Sequence, residues 1–352
     1  MSGSPISPAL AAEIALREYG LAAVAERLAS EFDDTFRLTG EDGASRLLKI
    51  NADAAAVPAI AGGAGVACEA GFQTALLLHL AAVAPALPVQ RVVSALDGRP
   101  EVTVAVAGVP RLVRMTSWLD GRLLGPGVLT GGLRRDIGGT LARLNVALRG
   151  FAHPGAGRTH RWDLQRFGAL RALLAEVPEL PDGGRDGLAQ CLDRFDAVVA
   201  PRLASREVQV IHTDFHGENL LTDGDRVTGI LDFGDALTGP VAMDVGVAAC
   251  YQLGAGGPGA DLLSPAVDVV AGYHAVDPLS RSDAELAAEF AVARVAARII
   301  LSQAHAARDP ANAGYLLRRT PAAIAHFATL RAIGMDSIAG RLTAACELEV
   351  AS

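Results

Sequence analysis

Residues 208–244 read V-Q-V-I-H-T-D-F-H-G-E-N-L-L-T-D-G-D-R-V-T-G-I-L-D-F-G-D-A-L-T-G-P-V-A-M-D. Two apolar runs rich in β-branched residues, Val208–Ile211 and Val227–Leu231, each end in a cluster of polar side chains. Runs of that length bounded by turn residues predict strands, so the polar groups are delivered at strand ends. The first run delivers His212, Asp214 and Asn219, and the second delivers Asp232, Phe233, Gly234 and Asp235. Moving a phosphoryl group from a nucleotide to a hydroxyl needs a carboxylate that orients the hydroxyl and takes its proton, plus oxygen ligands for Mg²⁺. Asp214 suits the first task, and Asn219 and Asp232 suit the second.

Protein kinases fill such slots with H-R-D, four residues, Asn, and downstream D-F-G. Here the slots hold His212, Asp214, Asn219 and Asp232-Phe233-Gly234, with Thr213 in place of the Arg. His212 reads as a brace for the catalytic loop, and Asp244 as a group that fixes the loop from the core. The strings H-T-D-F-H-G-E-N-L-L, I-L-D-F-G-D and G-P-V-A-M-D together resemble the aminoglycoside phosphotransferase and choline kinase family. Leu28–Leu38, L-A-S-E-F-D-D-T-F-R-L, is similar to the first hairpin of its hydroxylysine kinase branch.

The resemblance implies an α+β, two-lobed protein-kinase-like fold. A small antiparallel-sheet lobe over residues 1–116 would bind nucleotide, and a larger, mainly helical lobe over residues 117–352 would carry catalysis and the substrate site. It further implies ATP or GTP as donor between the lobes, Mg²⁺ on Asn219 and Asp232, and a small hydroxyl compound as acceptor. The branch points to hydroxylysine or another amino alcohol. The wider family points to an aminoglycoside or another antibiotic.

Upstream, Phe32–Leu38 and Arg46–Ile50 flank the turn residues Gly40-Glu41-Asp42-Gly43 and predict a hairpin. Lys49, one cation in the apolar string L-L-K-I, is placed to pair with nucleotide phosphates. The hairpin has no G-x-G-x-x-G; the branch resemblance implies that Ser30 and the Asp33-Asp34 region cover the phosphates instead. Ala67–Ala82 has helical spacing, with Phe72, Leu76 and Leu80 on one face, and carries two candidates to partner Lys49, Glu69 and Gln73. Arg114–Gly121 resembles the family hinge, which makes Met115, Ser117 and Trp118 candidate contacts of the base, with core packing the alternative for Met115 and Trp118. In H-R-W-D-L, Asp163 is either a contact for a substrate amine or the N-cap of the next helix. Asp235 is a second substrate candidate.

Composition narrows the rest. The net charge of −8 and pI near 5.5 exclude nucleic acid as the main partner, because backbone phosphates call for a concentrated basic face. Half of the 352 residues are hydrophobic, yet no apolar run is long and uncharged enough to cross a bilayer, and Met1–Leu28 reads as an amphipathic helix with no signal-peptide pattern. A cytoplasmic protein without a membrane partner is expected. The four cysteines are far apart and form no C-x-x-C pair. A rival reading takes His212, Asp214 and His216 as the metal ligands of a hydrolase, but it leaves Asn219, D-F-G and Lys49 without a purpose. A binding module without activity is disfavoured because Lys49, Asp214, Asn219 and Asp232 are all present.

Overall fold

The structure is a computed structural model that describes residues 6–30, 33–51, 66–125, 127–257 and 259–347, the side chains of residues 66–70 excepted. Two compact units divide the chain: Met1–Gly121 with Phe151–Arg158 and Thr228–Gly234, and Arg122–Gly150 with Thr159–Val227 and Asp235–Ser352. Unlike a single cut after residue 116, this division returns two later segments to the first unit.

In the first unit, Ser7 accepts a hydrogen bond from the Leu10 amide and caps helix α1 (Pro8–Tyr19), which has Pro8 at its first turn. Gly20, with φ 66°, ends it in the left-handed region. The amphipathic helix expected as far as Leu28 therefore stops early. Ala23–Leu28 instead forms strand β1, paired antiparallel with β2 (Asp34–Gly40) from Ala23↔Gly40 to Leu28↔Thr35. The apolar residues of that stretch serve either period, and pairing with β2 decides it.

The expected hairpin forms between β2 and β3 (Ser45–Ile50). Strands β4 (Val92–Val93), β5 (Val102–Val106) and β6 (Val109–Ser117) complete an antiparallel sheet of order β1-β2-β3-β6-β4, with β5 also on β6. Strand alternation sorts the side chains. Phe36, Leu38, Leu48, Ile50, Val113 and Met115 join Ile14 of α1 in one core, while Leu47, Lys49, Arg114 and Thr116 take the opposite face. On helix α2 (Val66–Val83), Phe72, Leu76 and Leu80 are fully buried, as their spacing predicts.

The second unit is mainly helical. Helix Gly131–Ala147 runs against Ser264–His274 so closely that a Cβ on Gly138 would lie 1.9 Å from the Val269 carbonyl oxygen, and one on Gly272 would lie 2.1 Å from that of Arg135. Only glycine permits that approach. Helix Val241–Cys250 packs on the 28-residue helix Arg281–Arg308 in the same way, through Gly246. Two short strand pairs, Gln209–Ile211 with Leu237–Gly239 and Leu220–Asp223 with Arg122–Leu123, hold residues 209–239. No helix among the described residues is long and apolar enough to cross a membrane.

Candidate active site

The sheet face away from α1 opens into a cavity lined by Leu47, Lys49, Gln73, Gln90, Arg114, Thr116, Asp232 and Phe233, with Leu77 behind. Lys49 and Arg114 stand directly opposite each other in the β3–β6 register. Facing like charges on one side of a sheet repel, so this pair makes the cavity a place for an anion. Asp232 is the one carboxylate in the lining among the described residues, and Asp33 comes to 3.9 Å from the Arg114 guanidinium.

Gln73 lies in this cavity, but its Oε1 accepts from Arg114 Nη2 at 2.6 Å, so one of the two partners expected for Lys49 is committed to the neighbouring arginine. The Glu69 side chain lies outside the description. Arg114 is buried, and its Nη1 makes no hydrogen bond among the described residues. It is the cavity residue that the sequence reading missed. Its signal was the alternation itself: two residues before Thr116 on one strand means the same face.

The base contacts fare less well. Met115 is wholly buried in the core on the α1 side, because adjacent strand residues point to opposite faces, and its role is packing. Ser117 spends its amide on the Arg91 carbonyl at 2.7 Å and its Oγ on the Arg91 amide at 2.9 Å. Trp118 is half-buried, with the Arg37 guanidinium over its ring at 4.7 Å, and is not part of the cavity lining. Ser30 is exposed just beyond β1, and the two residues after it lie outside the description.

Asp232 adopts φ 55°, a left-handed conformation that a non-glycine residue holds only at a cost. The turn that follows supports it: Asp232 Oδ1 accepts from the Gly234 amide at 3.0 Å, and the exposed carboxylate keeps its other oxygen for a ligand.

In the second unit, strand Gln209–Ile211 delivers His212 and Thr213 into the core. Asp244, fully buried, accepts from the His212 amide at 3.1 Å and the Thr213 amide at 2.8 Å. Burial pushes its carboxyl up, and these two amide bonds oppose that. Thr213 also has a left-handed φ, 65°, and its hydroxyl donates to the Asp235 carbonyl at 2.8 Å. This pinned, strained turn aims Asp214. His212 Nδ1 accepts from the Asp214 amide at 3.3 Å, so His212 braces the loop as its burial requires.

The Asp214 carboxylate is held on both oxygens. Oδ1 accepts from Arg294 Nη2 at 2.7 Å, and Oδ2 accepts from Asn219 Nδ2 at 2.9 Å and meets His216 Nε2 at 3.0 Å. His216 Nδ1 accepts from the Glu218 amide, so its proton sits on Nε2 and points at Asp214. Burial alone would raise the Asp214 carboxyl, but the His216 hydrogen bond and the charge of Arg294 outweigh it and hold the group well below the usual carboxylate range. Asn219 spends its amide NH₂ on Asp214, the carbonyl included at 3.0 Å, which leaves Oδ1 as the atom it can offer a cation.

Both ring nitrogens of His216 are thus engaged, as is Nδ1 of His212, which does not suit them as a metal pair. Among the described residues, no three His, Cys, Asp or Glu side chains converge to hold a metal. Asp163 is buried and accepts from the Gln165 amide at 3.0 Å and from Gln165 Nε2 at 3.2 Å. It is the N-cap of Leu164–Glu176, which corrects the substrate-amine reading. The Asp235 carbonyl is taken by Thr213 and His160, while its half-buried carboxylate makes no hydrogen bond among the described residues. Arg294, Tyr251 and Trp162 were not tied to Asp214 in the sequence. Yet Arg294 donates to Tyr251 Oη at 2.9 Å and lies over the Trp162 ring at 4.5 Å, and His216 stacks on Tyr251 at 4.5 Å.

Residues 24–286 match the model of the phosphotransferase enzyme family. A hydroxylysine kinase from Danio rerio is 24% identical over 347 residues, 94% of this chain and 92% of that protein. A homoserine kinase from Rhizobium johnstonii is 31% identical over 159 residues, 44% of this chain and 46% of that protein. Among solved structures, an amicoumacin kinase in complex with AMP-PNP and Ca²⁺ superposes with a TM-score of 0.65 at 15% identity, over 90% of this chain and 94% of that one. A microcompartment-associated aminopropanol kinase gives 0.62 at 22% identity, over 95% and 99%. These structures show the kinase-like α+β fold, and the family match bears out the resemblance drawn from residues 208–244.

Proposed function

The chain belongs to the phosphotransferase enzyme family, and from that premise we propose that it transfers the γ-phosphoryl group of ATP or GTP to the hydroxyl of a small, amino-bearing metabolite of the hydroxylysine or homoserine kind. The observation that carries this reading is the Asp214 carboxylate, kept ionised by Arg294 and His216 with Asn219 at its side. A carboxylate so stabilised is a weak base, and its main work is to accept the acceptor's O–H and aim its lone pair. A loose phosphoryl-transfer transition state asks for positioning more than for proton abstraction. The new O–P bond forms as the bond to the bridging oxygen breaks, and the hydroxyl proton passes to Asp214.

Lys49 and Arg114 would meet the nucleotide phosphates, whose charge relieves their mutual repulsion. Asn219 Oδ1 and the second oxygen of Asp232 are the donors this reading offers to Mg²⁺, a cation that takes oxygen ligands. When bound, it would neutralise phosphate charge. The half-buried Asp235 carboxylate suits the acceptor's amine.

The test is coupled release of ADP or GDP by the purified protein with Mg²⁺, across hydroxylysine, homoserine, choline, aminoglycosides and nucleoside antibiotics. Turnover confined to the amino acids supports the reading, and turnover confined to an antibiotic overturns its acceptor class. Arg114→Ala should raise the nucleotide KM about tenfold, the loss of one charge-assisted contact. Arg114→Lys should recover part of that loss. An unchanged KM in Arg114→Ala would remove Arg114 from the phosphate site.

A further inference from the structure

The surroundings of Asp214 are cationic, the reverse of what a polyamine-like acceptor needs. Arg294 is 2% exposed and engages Asp214 and Tyr251 through Nη2 alone, while its Nε and Nη1 are buried without a hydrogen-bond partner among the described residues. A buried, unsatisfied guanidinium edge is costly and calls for a ligand. Four residues on, Arg298 shares its helix face, and its guanidinium lies over the Tyr251 ring at 4.6 Å. Arg298 is half-buried and has no carboxylate partner among the described residues. It lowers the pKa of the half-buried His326, whose burial is the larger cause. The ionised groups gathered on Tyr251 and His216 are therefore two guanidiniums to one carboxylate, and that carboxylate is the catalytic one.

We infer that the acceptor carries a carboxylate as well as a hydroxyl, and that Arg298, with the open edge of Arg294, receives it. Guanidinium and carboxylate match as two parallel N–H···O bonds. An acceptor seated this way is fixed at one end by charge, which leaves its hydroxyl to be turned toward Asp214 by the length of its chain. A polycationic aminoglycoside would meet two arginines of its own sign. The inference rests on the small-molecule phosphotransfer reading and assigns the residues that would receive the acceptor's carboxylate.

The experiment compares acceptors that differ only in the carboxylate: homoserine against 3-aminopropan-1-ol, and hydroxylysine against 1,5-diaminopentan-2-ol, in wild type, Arg298→Ala and Arg298→Lys. The wild type should prefer the carboxylated member of the productive pair by about thirtyfold in kcat/KM, carried by KM. Arg298→Ala should reduce that preference to about threefold or less, and Arg298→Lys should restore part of it. Equal use of both members by the wild type would overturn the inference while leaving the phosphotransfer reading intact. So would an equal fall in kcat on both members in Arg298→Ala, which would assign the arginine to the transferring phosphoryl group. Absence of transfer to all four compounds, with nucleotide still bound, would overturn the inference together with the amino-alcohol reading.

Discussion

Asp214→Asn is expected to lower kcat by about a thousandfold or more while the nucleotide Kd stays within about twofold. The amide is close to the carboxylate in shape, so the change isolates the charge and the acceptor capacity. In the native site both oxygens accept, one from Arg294 and one from Asn219, with His216 donating to the second. An amide can satisfy only one side. Whichever way it turns, its NH₂ faces a donor, and no carboxylate remains to aim the acceptor hydroxyl. The variant also leaves the buried Arg294 without its counter-charge, which costs about 3–5 kcal/mol where a buried pair is broken. Nucleotide binding therefore has to be measured beside turnover, to separate lost chemistry from lost fold. Retained turnover in a folded Asp214→Asn protein would overturn the assignment.

The same carboxylate sets a pH dependence of stability. Its folded-state pKa is depressed, so its contribution is complete above the unfolded value, near 4, and is lost as pH falls through the lower folded value. The acid limb of the unfolding curve should be shallower in Asp214→Asn than in the wild type, as urea midpoints between about pH 5 and pH 2 would register.

What the sequence disclosed and what it withheld follow from one distinction. Asp214, Asn219 and Asp232 were legible because short strands and tight turns fix polar residues at spacings that do not depend on the rest of the chain. Lys49 was legible as one charge in an apolar strand. Arg294 was not, because its partner lies 80 positions away and only the packing of helix Arg281–Arg308 brings them to 2.7 Å. A signal was there: Arg294 and Arg298 are cations one turn apart in the otherwise apolar A-V-A-R-V-A-A-R-I-I, a pattern a solvated face does not need. Met115 was misplaced for a simpler reason, since a hinge resemblance names a segment, whereas the strand's period of two decides which of its residues face the cavity. Asp163 followed local chemistry, capping the helix it precedes.

Asp232→Asn should be the other large effect, with kcat/KM down by about a thousandfold and the Mg²⁺ concentration for half-maximal rate up by about tenfold or more. The substitution is unusually clean. Asn tolerates the left-handed φ of 55° as well as any residue except glycine, and its Oδ1 can still accept from the Gly234 amide at the observed 3.0 Å. Stability should then move by no more than about 0.5 kcal/mol, the range of exposed positions without a special role. What disappears is the negative charge in a cavity otherwise lined by Lys49 and Arg114, and with it the preference for a divalent cation over none. Asp232→Asn should therefore also bind metal-free nucleotide at least as tightly as the wild type, because the two cations are no longer opposed. Titration of nucleotide with and without Mg²⁺ reads both halves of that claim. A variant that keeps the wild-type Mg²⁺ requirement would move the metal off Asp232, and one that loses metal-free nucleotide binding would mean that the carboxylate shapes the cavity and does not hold the ion.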